Sequence, residues 1–253
     1  MTTVRWVTAF LDVSTGAFED DAAFWCEVTG STLSERRGDR GQFATFVPPD
    51  GDAYFRIQAT DDGSAGVHLD LHADDARGLA DRAIGLGATE TDDLGTLVLL
   101  RSPGGLPFCT VSHAGETRRP QPHSLPGLPD SILDQVCIDC PADLLDAEAA
   151  FWAGLTGWPL VGASHHEFRV LDRPDGIPIR LLLQRLGDDD PGERVRAHLD
   201  IACGADAPHL VPRHEQAGAR FVHAGRVWTT LADPAGLEYC LTQRDPVTGR
   251  VEI

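Results

Sequence analysis

The chain carries two related copies of one sequence pattern, and this duplication limits its fold more than any other feature. Ala22-Ala23-Phe24-Trp25 followed by Thr29-Gly30 returns as Ala149-Ala150-Phe151-Trp152 followed by Thr156-Gly157. Val67-His68-Leu69-Asp70-Leu71 returns as Ala197-His198-Leu199-Asp200-Ile201. Ser102-Pro103-Gly104-Gly105-Leu106-Pro107-Phe108-Cys109 returns as Asp233-Pro234-Ala235-Gly236-Leu237-Glu238-Tyr239-Cys240. The offsets are 127 (24 to 151), 130 (68 to 198) and 131 (102 to 233), a drift that a few loop insertions explain.

Each copy reads as βαβββ followed by βαβββ. In the first copy, strand 4–13 precedes a helix over 19–28, and short strands fall near 32–35, 43–47 and 53–59. Strand 67–72 then leads into a helix over 74–86, with Asp74 or Asp75 as its cap and Gly87 beyond its end. Strands near 97–101 and 106–112 close it around a Ser-Pro-Gly-Gly turn. The second copy repeats the scheme: strand 132–139, helix 143–155, strands near 159–162, 167–171 and 179–185, then strand 197–203, helix 207–217 and strands 226–231 and 237–243. Between the copies, Pro120, Pro122, Pro126 and Pro129 fall in a stretch with few apolar residues, which suits a stiff, extended linker. The expected organisation is a domain over 1–115, a linker over 116–130 and a domain over 131–253. The expected class is α+β, with two tandem domains. In each, paired βαβββ modules form a curved sheet cup with helices on the outer face.

Charge narrows the partners. Lys+Arg 21 against Asp+Glu 39 gives a formal net charge of -18. Nucleic acid and anionic membrane surfaces would be repelled, and a solvated acidic surface accounts for the charge. No apolar run approaches a membrane span, and residues 1–13 hold no basic segment followed by an apolar core. The six cysteines show no disulfide pattern. Cys137-Ile138-Asp139-Cys140 is a CxxC, but on a strand its two thiols face opposite sides, so both are expected as buried small residues. A reducing cytoplasm is the expected setting.

Strand alternation sorts side chains onto two faces. In the second copy Val136, Ile138, Leu181, Leu183, Leu199, Ile201, Tyr239 and Leu241 form the apolar, helix-facing set. The opposite face gathers Gln135, Cys137, Arg180, Gln184, His198, Asp200, Glu238 and Cys240 from four strands. His, Glu and Gln side chains are all able to ligate a metal. In the first copy, Tyr54, Arg56, His68, Asp70 and His72 take the corresponding face.

Paired βαβββ units, Phe-Trp with Thr-Gly on the first helix, His198-Leu199-Asp200-Ile201 and the closing Asp233-to-Thr242 stretch together resemble the vicinal oxygen chelate superfamily of glyoxalases, bleomycin-resistance proteins and extradiol dioxygenases. The likeness is closest to its tandem glyoxalase-like members and covers nearly the whole chain. It implies metal ligands on the first, fifth and last strands, sometimes with one on the fourth. By position these are Gln135, His198 and Glu238, with Gln184 near the fourth-strand place. In the first copy the matching positions hold Thr8, His68 and Pro107, so that site is degenerate. The resemblance implies a divalent ion (Zn, Ni, Mn or Fe) polarising two substrate oxygens, with Glu238 also able to act as base. Arg180, Gln184, Asp200, Trp228, His68, Asp70, Tyr54 and Arg56 are the implied ligand-binding residues.

Two functions follow from this reading. One is metal-dependent lyase, isomerase or dioxygenase chemistry in the second cup. The other is metal-free sequestration of a ligand, as in bleomycin-resistance proteins. The chain is expected as a monomer or homodimer, with cups built within a domain or by halves exchanged between domains. Trp25 and Trp152 are expected to pack helix against sheet. His165-His166 reads as surface, and Asp188-Asp189-Asp190 as a solvated loop.

Overall fold

A computed structural model describes residues 2–124, 127–162, 166–187, 190, 192 and 194–251. The first repeat runs β1 (Val4–Ser14), α1 (Phe18–Thr29), β2 (Thr32–Leu33), β3 (Phe43–Val47), β4 (Phe55–Thr60), β5 (Gly66–Ala73), α2 (Ala76–Gly85), β6 (Thr89–Asp93), β7 (Leu97–Arg101) and β8 (Pro107–Ser112). The second runs β9 (Ile132–Cys140), α3 (Leu145–Thr156), β10 (Leu160–Val161), β11 (Phe168–Leu171), β12 (Arg180–Arg185), β13 (Arg196–Ala202), α4 (Ala207–Ala217), β14 (Arg220–Ala224), β15 (Trp228–Ala232) and β16 (Glu238–Thr242). Each repeat forms one open eight-stranded sheet, ordered β2-β3-β4-β1-β5-β8-β7-β6 and β10-β11-β12-β9-β13-β16-β15-β14. The sheets are mixed: β5 runs parallel to β8 and β13 to β16, while the hairpins are antiparallel. The architecture is the α+β tandem of curved sheets expected from the duplication.

Local chemistry explains the shared motifs. The Thr-Gly pair ends the first helix of each repeat in the same way. Gly30 and Gly157 adopt φ of 64° and 74°, the left-handed C-cap that glycine enters without strain. Thr29 and Thr156 turn their hydroxyls back onto the carbonyls of Trp25 and Trp152. The cap on α2 is Asp75, whose carboxylate accepts from the Gly78 amide at 2.8 Å. Strands β6 and β14 are called for by the βαβββ pattern, but the strand reading gave them no position. Every residue of β6 is exposed, so it lacks the apolar alternation that reveals a half-buried strand.

The compact units do not follow the repeats. One unit comprises Met1–Ala9, Val67–Thr117 and Val136–Ala197; the other comprises Phe10–Gly66, Arg118–Gln135 and His198–Ile253. Each therefore joins part of one repeat to part of the other. In the first unit Phe108 of β8 packs edge-on against Trp152 of α3 at 5.2 Å, and α2 lies against α3. Full burial of a side chain like Phe108 contributes about 1.5–3 kcal/mol. In the second unit Trp25 of α1 sits 5.1 Å from Tyr239 of β16 and 5.3 Å from Phe55, and α1 lies against α4. Both tryptophans are completely buried, as helix-to-sheet packing requires.

The eight apolar residues assigned to the helix-facing set are all buried. Cys137 and Cys140 are buried thiols that form no disulfide among the described residues. His165, Asp188 and Asp189 lie outside the described residues. Of their neighbours, His166 is exposed and Asp190 pairs with Arg196.

Candidate functional site

Parallel pairing of β13 with β16 sets the site. Asp200 lies opposite Cys240 and Leu199 opposite Tyr239, so His198, Asp200 and Cys240 share one face while the apolar residues take the other. The His198 Nε2 atom lies 3.4 Å from Asp200 Oδ1 and 3.7 Å from Cys240 Sγ. The ligand atoms of all three residues fall within 4.8 Å of one another. Gln135, on the adjacent strand β9, donates its amide to Asp200 Oδ2 at 2.5 Å, and Thr230 holds Cys240 at 3.4 Å. Asp200 is buried, and its Oδ1 has no hydrogen-bond donor. A buried carboxylate oxygen without a donor is costly unless a positive charge faces it.

This arrangement is not a nucleophilic triad. A triad uses the two imidazole nitrogens separately, one for the nucleophile and one for the acid. Here Nε2 alone faces both Cys240 and Asp200. Burial also pushes the Cys240 thiol up from its ordinary value, which disfavours the reactive thiolate. One nitrogen, one carboxylate oxygen and one sulfur within 4.8 Å of one another instead make a donor set suited to a divalent ion of intermediate hardness. The sequence reading placed Cys240 on this face but gave it no ligand role. Its direct register with Asp200 is the signal that raises it to a candidate ligand.

Glu238 shares the face of His198, two residues before Cys240, and is exposed at the start of β16 opposite Ala232. It lies outside every described group of ligand atoms within 4.8 Å. Trp228 also falls on this face by its register through Thr242, and it is half-buried with His223 edge-on at 6.3 Å. Tyr54 and Arg56 belong to the same compact unit. Tyr54 is buried beside Phe46 and Pro120 at a small cavity, and the Arg56 guanidinium sits 5.6 Å over the Phe10 ring. Arg180 and Gln184 belong to the other unit, where Gln184 Oε1 lies 3.5 Å from Cys137 Sγ.

The first repeat holds the same trio in that other unit. His68 Nε2 lies 4.0 Å from Asp70 Oδ1, Asp70 is in register with Cys109, and the three ligand atoms again fall within 4.8 Å. Pro107, in the place of Glu238, pairs with Arg101 and offers no ligand.

The sequence profile of the glyoxalase-like domain matches residues 8–111 and again 135–242. The chain belongs to the glyoxalase-like domain family. No curated protein sequence matches this glyoxalase-like chain. Among solved structures it is similar to a Mn(II)-bound glyoxalase from Novosphingobium aromaticivorans, with a TM-score of 0.67 and 16% identity over 100% of this chain and 87% of that one. It is also similar to a 2,3-dioxygenase from Pseudomonas sp. KL28, with a TM-score of 0.61 and 16% identity over 96% and 93% of the two chains. A homoprotocatechuate 2,3-dioxygenase variant from B. fuscum gives a TM-score of 0.63 and 13% identity over 98% and 73%. These likenesses show that the glyoxalase-like chain shares its fold with those proteins. No helix among the described residues is long and apolar enough to cross a membrane.

Proposed function

We propose that this glyoxalase-like protein is a divalent-metal-dependent enzyme acting on a small molecule at the His198 face of its second sheet. The observation that carries the reading is the buried, donor-free Oδ1 of Asp200, which converges with His198 Nε2 and Cys240 Sγ. His198, Asp200 and Cys240 would hold the ion, and Gln135 would fix Asp200 by occupying its other oxygen. When bound, such an ion supplies Lewis-acid polarisation to a pair of substrate oxygens. Glu238, exposed on the same face, is the candidate proton acceptor, because proton removal beside a carbonyl needs a carboxylate within reach. Trp228 offers a flat apolar wall for an aromatic or planar substrate. Lyase, isomerase and ring-cleaving dioxygenase reactions all fit this combination, in a cytoplasmic monomer or homodimer.

The test is turnover by chelator-treated protein reloaded separately with Mn2+, Fe2+, Ni2+ or Zn2+. It is offered catechols and α-hydroxy carbonyl compounds, which present two adjacent oxygens to an ion. Turnover that depends on reloading and is abolished by His198→Ala supports the reading. Metal-free sequestration is the second reading, favoured by the hydrogen bond that Gln135 already makes to Asp200. Tight binding of an aromatic probe that is indifferent to chelation would select it.

A further inference from the structure

We infer that the first compact unit carries a separate divalent-cation site built from His72, His113 and Glu116. It stands apart from the His198 cluster and does not depend on that reading. His72 lies on β5, and His113 follows β8, where its amide continues the parallel ladder by donating to the Ala73 carbonyl at 2.9 Å. Glu116 sits three residues on, its Oε2 accepting from the Ala114 amide at 3.2 Å. That same oxygen lies 3.2 Å from His113 Nδ1 and 3.8 Å from His72 Nδ1. The three ligand atoms are within 4.8 Å of one another. Ligand atoms around a tetrahedral Zn2+, with bonds of about 2.0–2.1 Å, sit roughly 3.3 Å apart, so a small contraction would close the site on an ion.

A further observation points to a ligated cation. The other nitrogen of His72, Nε2, meets Thr8 Oγ1 at 2.9 Å in the interior. That contact fixes the ring with Nδ1 turned toward Glu116, as an outer-shell partner does for a metal-bound histidine. In the second repeat Arg244 stands at the position of His113 (113 to 244, offset 131) and Val247 at that of Glu116, so this convergence of two imidazoles and a carboxylate is particular to the first repeat. His113 and Glu116 are only half-buried, which leaves an approach for the ion and a water as fourth ligand. The ion would tie the segment after β8 to strand β5, a structural role.

The test is Zn2+ and Co2+ binding to the full chain carrying His68→Ala and His198→Ala, which together disable both His-Asp-Cys trios. One ion per chain is expected, with a four-coordinate Co2+ spectrum free of thiolate charge transfer. Glu116→Gln should abolish uptake, and Thr8→Val should weaken it about tenfold or more, the usual effect of losing an outer-shell partner. Glu116 is half-buried on a loop, so its variant is expected to fold, with circular dichroism in chelator matching the parent. Absence of uptake would overturn the site, as would uptake that survives Glu116→Gln, or a thiolate-bearing Co2+ spectrum alone.

Discussion

The indole of Trp25, on the first helix of the first repeat, donates a hydrogen bond at 3.2 Å to Asp233, in the last turn of the second repeat. Its counterpart is the bond from Trp152 to Glu148, whose carboxylate also accepts from the Gly104 amide of the first repeat. The two repeats therefore clasp each other's Pro-Gly turns with the same helix. The chemistry differs, because Asp21 beside Asp233 makes a carboxyl pair where Glu148 has Ser102.

That carboxyl pair predicts a pH dependence. Burial, then the charge of Asp233, raises Asp21 to about 8, and burial raises Asp233 as well. A carboxyl raised in the folded state is stabilising when protonated, so its contribution is complete below the unfolded value and fades as pH rises through about 8. Asp21→Asn should mimic the protonated form. It is expected to unfold at a higher temperature than the parent at pH 8.5, by a margin that shrinks steadily as the pH falls to 5. Thermal scans across this range check it; a parent that gains stability between pH 6 and 8.5 relative to Asp21→Asn contradicts it.

Interleaving predicts that the repeats do not fold alone. The fragment 131–253 lacks Phe108 and Trp25, so Trp152 and Tyr239 would lose ring partners they have in the whole chain. It is expected to be unfolded or self-associated, and light scattering with near-ultraviolet circular dichroism would distinguish these from a folded monomer. In the intact chain, Phe108→Ala should cost about 3–5 kcal/mol in denaturant unfolding.

The two equivalent cap glycines should respond unequally. A Cβ on Gly30 would meet the His123 ring at 2.7 Å, whereas one on Gly157 finds nothing nearer than 4.0 Å. Gly157→Ala should cost about 1 kcal/mol, the strain of a left-handed residue, and Gly30→Ala clearly more. Chemical denaturation of the two variants makes the comparison directly.

Much of this architecture was legible because duplication states each element twice. Strand alternation sorted Leu199 and Ile201 from His198 and Asp200, and the caps at Asp75, Gly30 and Gly157 stand where side-chain chemistry requires them. Strand β6 was not legible, since Thr89–Asp93 is polar throughout and is recognised only through its pairing with β7. The joining of half-repeats is carried by contacts such as Phe108 with Trp152, and no local pattern encodes which partner an aromatic side chain will meet. At the site, His198 and Gln135 were readable by strand position. Cys240 became a candidate ligand only through its register with Asp200, and Glu116 through a loop that folds back on His72 and His113.

The most direct test of the central claim is metal content of the full chain after equilibration with Mn2+, Fe2+ or Zn2+ and removal of free ion, compared with His198→Ala and Asp200→Asn. The convergence of Asp200 Oδ1, His198 Nε2 and Cys240 Sγ predicts that each substitution lowers the bound ion by about one per chain. Glu238→Gln, outside the cluster, should leave metal content unchanged while abolishing turnover. Metal content unaffected by either His198→Ala or Asp200→Asn would contradict the account.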